Sequence, residues 1–479
     1  MDQLAPSDVA TTDVPARLDR LPWSRFHTLV VVALGITWIL DGLEVTLVGS
    51  LSPAISGPHG LNLSGGEFGW TASAYLAGAV AGALGFGWLT DRLGRKRLFT
   101  VTLLIYLAGT LASGLAWSLW AFILCRIVTG AGIGGEYAAV NATIQELIPA
   151  RRRGFTDLII NGSFWLGAAA GGLGADAVQA LLPPAYAWRT VFVIGGVIGL
   201  GVLFLRRFVP ESPRWMMTHG DPDGAAAVVA QIEQRVETAT GEKLPPPEGK
   251  TLRLRTDITA WFGPSLRVLF STYVRRTVLG TALMGAQAFC YNAVLFTYAL
   301  VLTRYYHVPG ARAGLYLVPF ALGNFAGPAL LGRLFDSVGR KPMIAGTYAL
   351  SAVLLAATGA AFAAGLLTAV TLMAAWTVTF FVASAAASAA YLTVGESFPL
   401  EVRAVAIAVF YALGTGVGGI SGPAVFGSLI EGGQRSGLLY GHLAAAALMA
   451  LAALAEIVLG VPAERRPLED VAPPLSAVP

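Results

Sequence analysis

The stretch ITWILDGLEVTLVGSL, residues 36–51, sets two carboxylates, Asp41 and Glu44, in a run that is otherwise almost wholly apolar. A charged side chain at the centre of a membrane helix costs about 2.5–3.5 kcal/mol on insertion scales, so such groups face a wet cavity or a partner. Three residues apart, these two occupy neighbouring positions on one helix face. Like charges crowded in a partly dry site favour a proton held on at least one of them. A carboxylate whose protonation follows the side to which a cavity opens is the chemistry of proton coupling. The competing reading is that the acids only bridge helices.

Arg126 lies in another apolar run and is the expected partner. On helices running in opposite directions, at about 1.5 Å per residue, Asp41 and Arg126 both come to roughly 10 Å below the outer surface. Asp41, or Glu44 one turn on, is therefore expected to pair with Arg126, and protonation or substrate to weaken the pair. An arginine on a cavity wall can instead hold a substrate carboxylate in two parallel hydrogen bonds. Glu136 follows Arg126 by ten residues, about 15 Å along one helix, so it cannot serve the same guanidinium. It follows the run GAGIGG, whose small residues permit close helix contact.

The elements that must carry these groups follow from composition. With 55% hydrophobic residues, 13% charged, 57 glycines and a mean hydropathy of +0.65, this is a membrane protein. Twelve apolar segments reach the roughly 20 residues that span a bilayer core. They fall near 26–51, 68–90, 98–116, 118–147, 155–182, 188–208, 276–302, 312–334, 342–362, 365–394, 404–430 and 437–460. The first is too long for the apolar core of a secretory signal, so no cleaved peptide is expected. Cys125 and Cys290 both fall within spans, where packing is expected rather than a disulfide.

The net charge of +4 is best read loop by loop. Arg92, Arg95, Lys96, Arg97, Arg151, Arg152, Arg153, Arg206, Arg207, Arg275, Arg276, Arg340 and Lys341 share one side of a twelve-helix threading. The other side offers Arg189, Arg304, Arg312 and Arg435. Basic residues gather on the cytoplasmic side, so both termini are expected there, and nucleic acid is not an expected partner. The organisation reads as an N-terminal tail (1–25), six spans (26–208), a central loop with short helices (209–275), six spans (276–460) and a C-terminal tail (461–479). Within the loop, Ala225, Val228, Val229, Ile232 and Val236 form one stripe of an amphipathic helix.

The two groups of spans repeat each other. GWLTDRLGRK (87–96) and GRLFDSVGRK (332–341) share G-x-L-x-D-x-x-G-R-K, and Glu146, Pro149 and Arg153 recur as Glu396, Pro399 and Arg403. Duplicated halves place a substrate site at their interface, near the bilayer midplane. These loops, with CRIVTGAGIGGEY (125–137), PESPRW (210–215) and GESFPLEVR (395–403), resemble the major facilitator superfamily, particularly its sugar-porter-like and metabolite:proton symporter branches. The resemblance covers nearly the whole chain. It implies an all-α membrane protein, twelve transmembrane helices in two six-helix pseudo-symmetric bundles. AQAFCYN (286–292) keeps only Gln287 and Asn292 of the sugar-porter pattern, and SAAASAAYLTVGE (384–396) lacks its Pro-x-x-Trp, so a hexose is disfavoured. D-G-x-E and G-G-E-Y look more like bacterial symporters of organic metabolites, which place an acid where Glu136 stands; the resemblance makes Glu136 a second proton-site candidate beside a structural role.

In the resembling families the residues matching Asp91, Arg95, Glu146, Arg153, Glu211, Asp336, Arg340, Glu396 and Arg403 are conformational latches of a cytoplasmic gate. The candidate cavity comprises Asn161, Trp165, Gln287, Tyr291, Asn292, Phe296, Asn324, Trp376 and Tyr411, amides and aromatics of the kind an apolar pocket uses to orient a small molecule. No G-x-x-x-x-G-K-[ST] occurs, which excludes an ATP-driven pump of that type. His27, His59, His219, His307 and His442 are scattered, so no enzyme, metal or cofactor is expected. The reading is a monomeric secondary transporter of the plasma membrane, expected to be a bacterial inner membrane. It moves a small organic metabolite, an organic acid first, by proton symport. Sugar or polyol porters, uniporters and drug or cation exporters by proton antiport have the same parts.

Overall fold

Inside a bilayer the backbone must satisfy its own hydrogen bonds, and all twelve long apolar segments are helical in the computed structural model, which describes residues 9–205, 208–247, 251–255, 262–308 and 310–478. Arg206 and Arg207 lie outside the described residues, as do the side chains of Phe296 and Arg312. The helices are α1 (Arg25–Ser50), α2 (Gly65–Leu93), α3 (Arg95–Gly114), α4 (Leu119–Leu147), α5 (Ala150–Leu181), α6 (Pro184–Leu205), α7 (Val274–Tyr306), α8 (Gly310–Ser337), α9 (Arg340–Ala363), α10 (Ala369–Ser397), α11 (Leu400–Ile430) and α12 (Arg435–Leu459).

Local signals set several of the ends. Ser64 Oγ accepts from Glu67 N while Glu67 Oε2 accepts from Ser64 N, a capping box that starts α2 three residues before the expected edge. The G-R-K turns need Gly94 and Gly339 at φ +101° and +124°, where a Cβ is disfavoured. Two helices are interrupted where the sequence predicts one continuous span. α5 breaks at Ser163, whose hydroxyl donates to the Gly35 and Ile160 carbonyls, and α11 widens to a π-helix over Gly414–Gly419. Such bulges occur often at functional sites.

The segments outside the spans are joined to one another at one end of the bundle. The helix Pro222–Thr240 buries Ala225, Val229, Ile232 and Val236. Two strands, which the sequence does not signal, pair antiparallel: β1 (Val9–Thr12) with β2 (Leu252–Arg255), Thr12 opposite Leu252. Ala477 bridges to Leu254, so the N-terminal tail, central loop and C-terminal tail share one small sheet. Glu401 accepts from the Leu475 and Ser476 amides. This end of the molecule is called the tail end below.

Candidate functional site

At the tail end each half offers a carboxylate to a helix start of the other. Asp91 on α2 accepts from the Ala404 and Val405 amides of α11 at 3.3 and 2.9 Å. Asp336 on α8 accepts from the Gly154 and Phe155 amides of α5 at 3.1 and 2.8 Å. An anion is favoured there by the unpaired N–H groups and the positive dipole end. Arg95 joins Asp91 to Glu146 at 2.9 Å each, and Arg340 joins Asp336 to Glu396 at 2.8 and 2.9 Å. Arg153–Glu396 and Arg403–Glu146, both 3.5 Å, complete a two-fold arrangement. Glu211 accepts from the Arg95 and Lys96 amides at the start of α3. Glu464, outside every motif, does the same for the Arg340 amide at the start of α9.

Further groups lock the same end. Arg214 reaches Glu146 O, Asp19 of the N-terminal tail and Glu469 of the C-terminal tail. At the opposite end, Arg189 donates to the 114 and 116 carbonyls, Arg435 to Phe362 and Tyr306 to Leu367, each within one half. The structure is therefore closed at the tail end.

Between the halves lies a cavity of about 180 Å³. Asn161, Trp165, Gln287, Tyr291, Asn292 and Tyr411 line it. Asn324 does not; it sits behind the wall and accepts the Tyr291 hydroxyl at 2.8 Å. Trp376 is also elsewhere, its indole N–H donating to His442 Nε2 at 2.9 Å inside the C-terminal half. Its position in the middle of an apolar span does not distinguish a cavity face from a helix–helix face, and α10 turns it toward α12. Trp38, Tyr75, Tyr137 and Tyr391 line the cavity as well, and of these only Tyr137 closes a motif, G-G-E-Y. For Trp38 the signal is its place three residues before Asp41, on the same helix face.

The lining is an aromatic cage. Tyr137 packs at a tilt against both Trp38 and Tyr411, each at 4.5 Å between ring centroids, and Trp165 meets Tyr291 at 5.5 Å. Asn161 is held by the Asp157 carboxylate, which also accepts from Gln145 Nε2 at 2.7 Å. Asp157 is fully buried and no sequence motif marks it.

The proton-coupling candidates sit behind one wall of this cage. Glu44 Oε1 lies 2.5 Å from Arg126 Nη1, and both side chains are buried. The Arg126 guanidinium lies over the Tyr75 ring, 4.7 Å from its centroid, so Tyr75 separates the ion pair from the cavity. Asp41 Oδ1 has no hydrogen-bond partner among the described residues, and Asp41 lies within electrostatic reach of Glu136 and Glu44. Thus α1 and α4 gather three buried acids and one arginine. Gly42 lets α1 close on α5 beside them: a Cβ there would fall on the Phe164 carbonyl, and without one the two backbones touch between Asp41 and Glu44. Gly130 and Gly134 give α4 the same closeness to α2 at Tyr75 and Ala79.

Residues 36–462 match the family described as Sugar (and other) transporter. The niacin transporter NiaP of Acinetobacter baylyi is 32% identical over 222 residues, 46% of this chain and 49% of that protein, so the chain covers about half the length of this relative. A gallate transporter of Pseudomonas putida is 27% identical over 435 residues, 90% of this chain and 91% of that one. The solved structure of the proton:xylose symporter XylE, of the major facilitator superfamily, is similar with a TM-score of 0.74 at 20% identity, covering 93% of this chain and 98% of that one. Twelve spanning helices, an ion-pair network repeated in both halves and a family match over most of the chain converge: this multi-pass membrane protein belongs to the sugar (and other) transporter family of the major facilitator superfamily and is not an enzyme.

Proposed function

We propose that the protein carries a small aromatic carboxylate across the plasma membrane by alternating access, driven by proton symport, with both termini cytoplasmic. One observation carries this reading: an aromatic cage, fitted with carboxamides at Asn161, Gln287 and Asn292, is backed through Tyr75 by the Arg126–Glu44 pair. Flat rings stack on Trp and Tyr faces, and the amides orient the polar substituents. Niacin and gallate, named for two relatives, are both ring carboxylates. A substrate carboxylate that reaches Arg126 past the Tyr75 ring competes with Glu44; a proton on Glu44 removes that competition. Proton and anion then favour each other's binding, which is the thermodynamic content of symport. The basic residues at the tail end support the cytoplasmic placement of the termini.

The test is uptake into proteoliposomes with radiolabelled nicotinate, benzoate and 4-hydroxybenzoate beside xylose, with and without an inward proton gradient. The expected result is accumulation of at least one aromatic acid only under the gradient. Flux of xylose alone, or aromatic-acid flux indifferent to the gradient, overturns the reading.

A further inference from the structure

A second cavity, of about 310 Å³, opens at the tail end where α5 of one half meets α8 of the other, and Arg151, Arg152, Phe155, Arg333 and Asp336 line it. All three arginines are exposed. None has an ion-pair partner among the described residues. Arg152 lies over the Trp23 ring at 5.4 Å and Arg333 over Phe155 at 5.3 Å, contacts that hold the guanidinium planes and leave their N–H edges free. The one carboxylate present is already engaged: Asp336 accepts from Gly154, Phe155 and Arg340. The cavity therefore carries an excess of positive charge that no further carboxylate in its lining neutralises among the described residues.

The internal repeat supplies a control. The offset of 250 between Glu146 and Glu396 relates Arg151 and Arg152 to Glu401 and Val402, and the offset of 245 between the two glycine-initiated loops relates Arg333 to Trp88. The Asp91 latch works with Trp88, Glu401 and Val402 around it, and there Glu401 is covered by Leu475 and Ser476 of the C-terminal tail. Latching does not require the three arginines. They mark only one of the two repeat-related interfaces between the halves.

We propose that this cavity is a binding site for a phosphate-type oxyanion, supplied either by an anionic phospholipid headgroup or by soluble phosphate. Planar guanidinium forks match the oxygens of phosphate, each able to give two parallel hydrogen bonds, and basic pockets between membrane helices are where headgroups bind. Arg151 and Arg152 travel with α5 and Arg333 with α8. An oxyanion bridging them exists only while the tail end is closed, so it favours that state by its differential affinity. This site is independent of the aromatic-acid reading, and its test does not use transport.

The full-length protein is melted in detergent with sodium phosphate against sodium chloride at matched ionic strength, and in mixed micelles with dioleoyl phosphatidylglycerol against dioleoyl phosphatidylcholine. A ligand of the folded state raises apparent stability by mass action. The wild type is expected to gain thermal stability with at least one probe. The triple variant R151Q/R152Q/R333Q should need on the order of tenfold more of that probe for the same gain, while K96Q/R97Q/R275Q, which removes three charges of the same end, should respond as the wild type. Stabilisation by phosphatidylglycerol alone assigns a lipid headgroup, and by phosphate alone a soluble ion. R333Q by itself, an exposed substitution, replaces the triple variant if that does not fold. No stabilisation of the wild type by either probe, or an equal loss in both triple variants, overturns the proposal.

Discussion

Glu44 Oε1 lies 2.5 Å from Arg126 Nη1 in a pair buried on both sides, while Asp41, one turn back on the same face, makes no ion pair among the described residues. The two acids of D-G-x-E therefore differ in kind. Removing one partner of a buried pair leaves the other charge uncompensated, at about 3–5 kcal/mol. E44Q is expected to lower stability by that order and to lose proton-driven accumulation with it. D41N is expected to stay within about 1 kcal/mol of the wild type, as it breaks no ion pair, yet also to lose uphill uptake. Thermal unfolding and uptake against a gradient separate the two. Unaltered uphill uptake by the double variant D41N/E44Q would refute a coupling role for helix α1.

Trp376 and Trp165 offer a paired test of the cavity boundary. W376F deletes the N–H that satisfies His442 Nε2 and is expected to cost about 1–3 kcal/mol of stability, leaving the substrate concentration for half-maximal uptake unchanged. W165A removes a wall of the aromatic cage and is expected to raise that concentration several-fold. If W376F weakens substrate affinity as W165A does, the cavity extends further into the C-terminal half than its lining shows.

His219 predicts an acid sensitivity of the tail end. It stacks on Trp215 at 4.5 Å, and burial, followed by the nearby Arg95 charge, lowers its pKa from the ordinary 6.5. A histidine held neutral in the folded state contributes fully above its unfolded pKa. That contribution is lost as pH falls from about 6.5 through the lower folded value. Melting temperature is expected to drop across this interval, and less steeply in H219Q. An identical acid limb in the variant would assign the loss to other groups.

Much of the architecture is readable in the chain because its determinants are local. Twelve apolar runs long enough to span a bilayer must be helices, and the Asp-x-x-Gly-Arg-Lys loops fall at the tight turns before α3 and α9 because Gly94 and Gly339 take a backbone conformation that suits glycine. Asp41, Glu44 and Arg126 declare themselves as ionisable groups in membrane spans, whatever they touch.

The choice among partners belongs to the tertiary structure. One helix turn separates Asp41 from Glu44, and depth alone gives Arg126 either acid; in the folded chain, with α5 close on α1 at Gly42 and α2 close on α4 at Gly130 and Gly134, the partner is Glu44. Helical spacing likewise leaves Trp376 with two faces, and contact with α12 turns it to His442. The β1–β2 pair joins residues some 240 positions apart, 12 to 252, through strands of only four residues, too short for the Leu-Arg alternation of β2 to name its partner. Sequence therefore determines which groups are present and roughly how deep they lie, since these follow from composition and helical rise. Which group meets which is decided by helix rotation and close approach, because these depend on contacts between segments far apart in the chain.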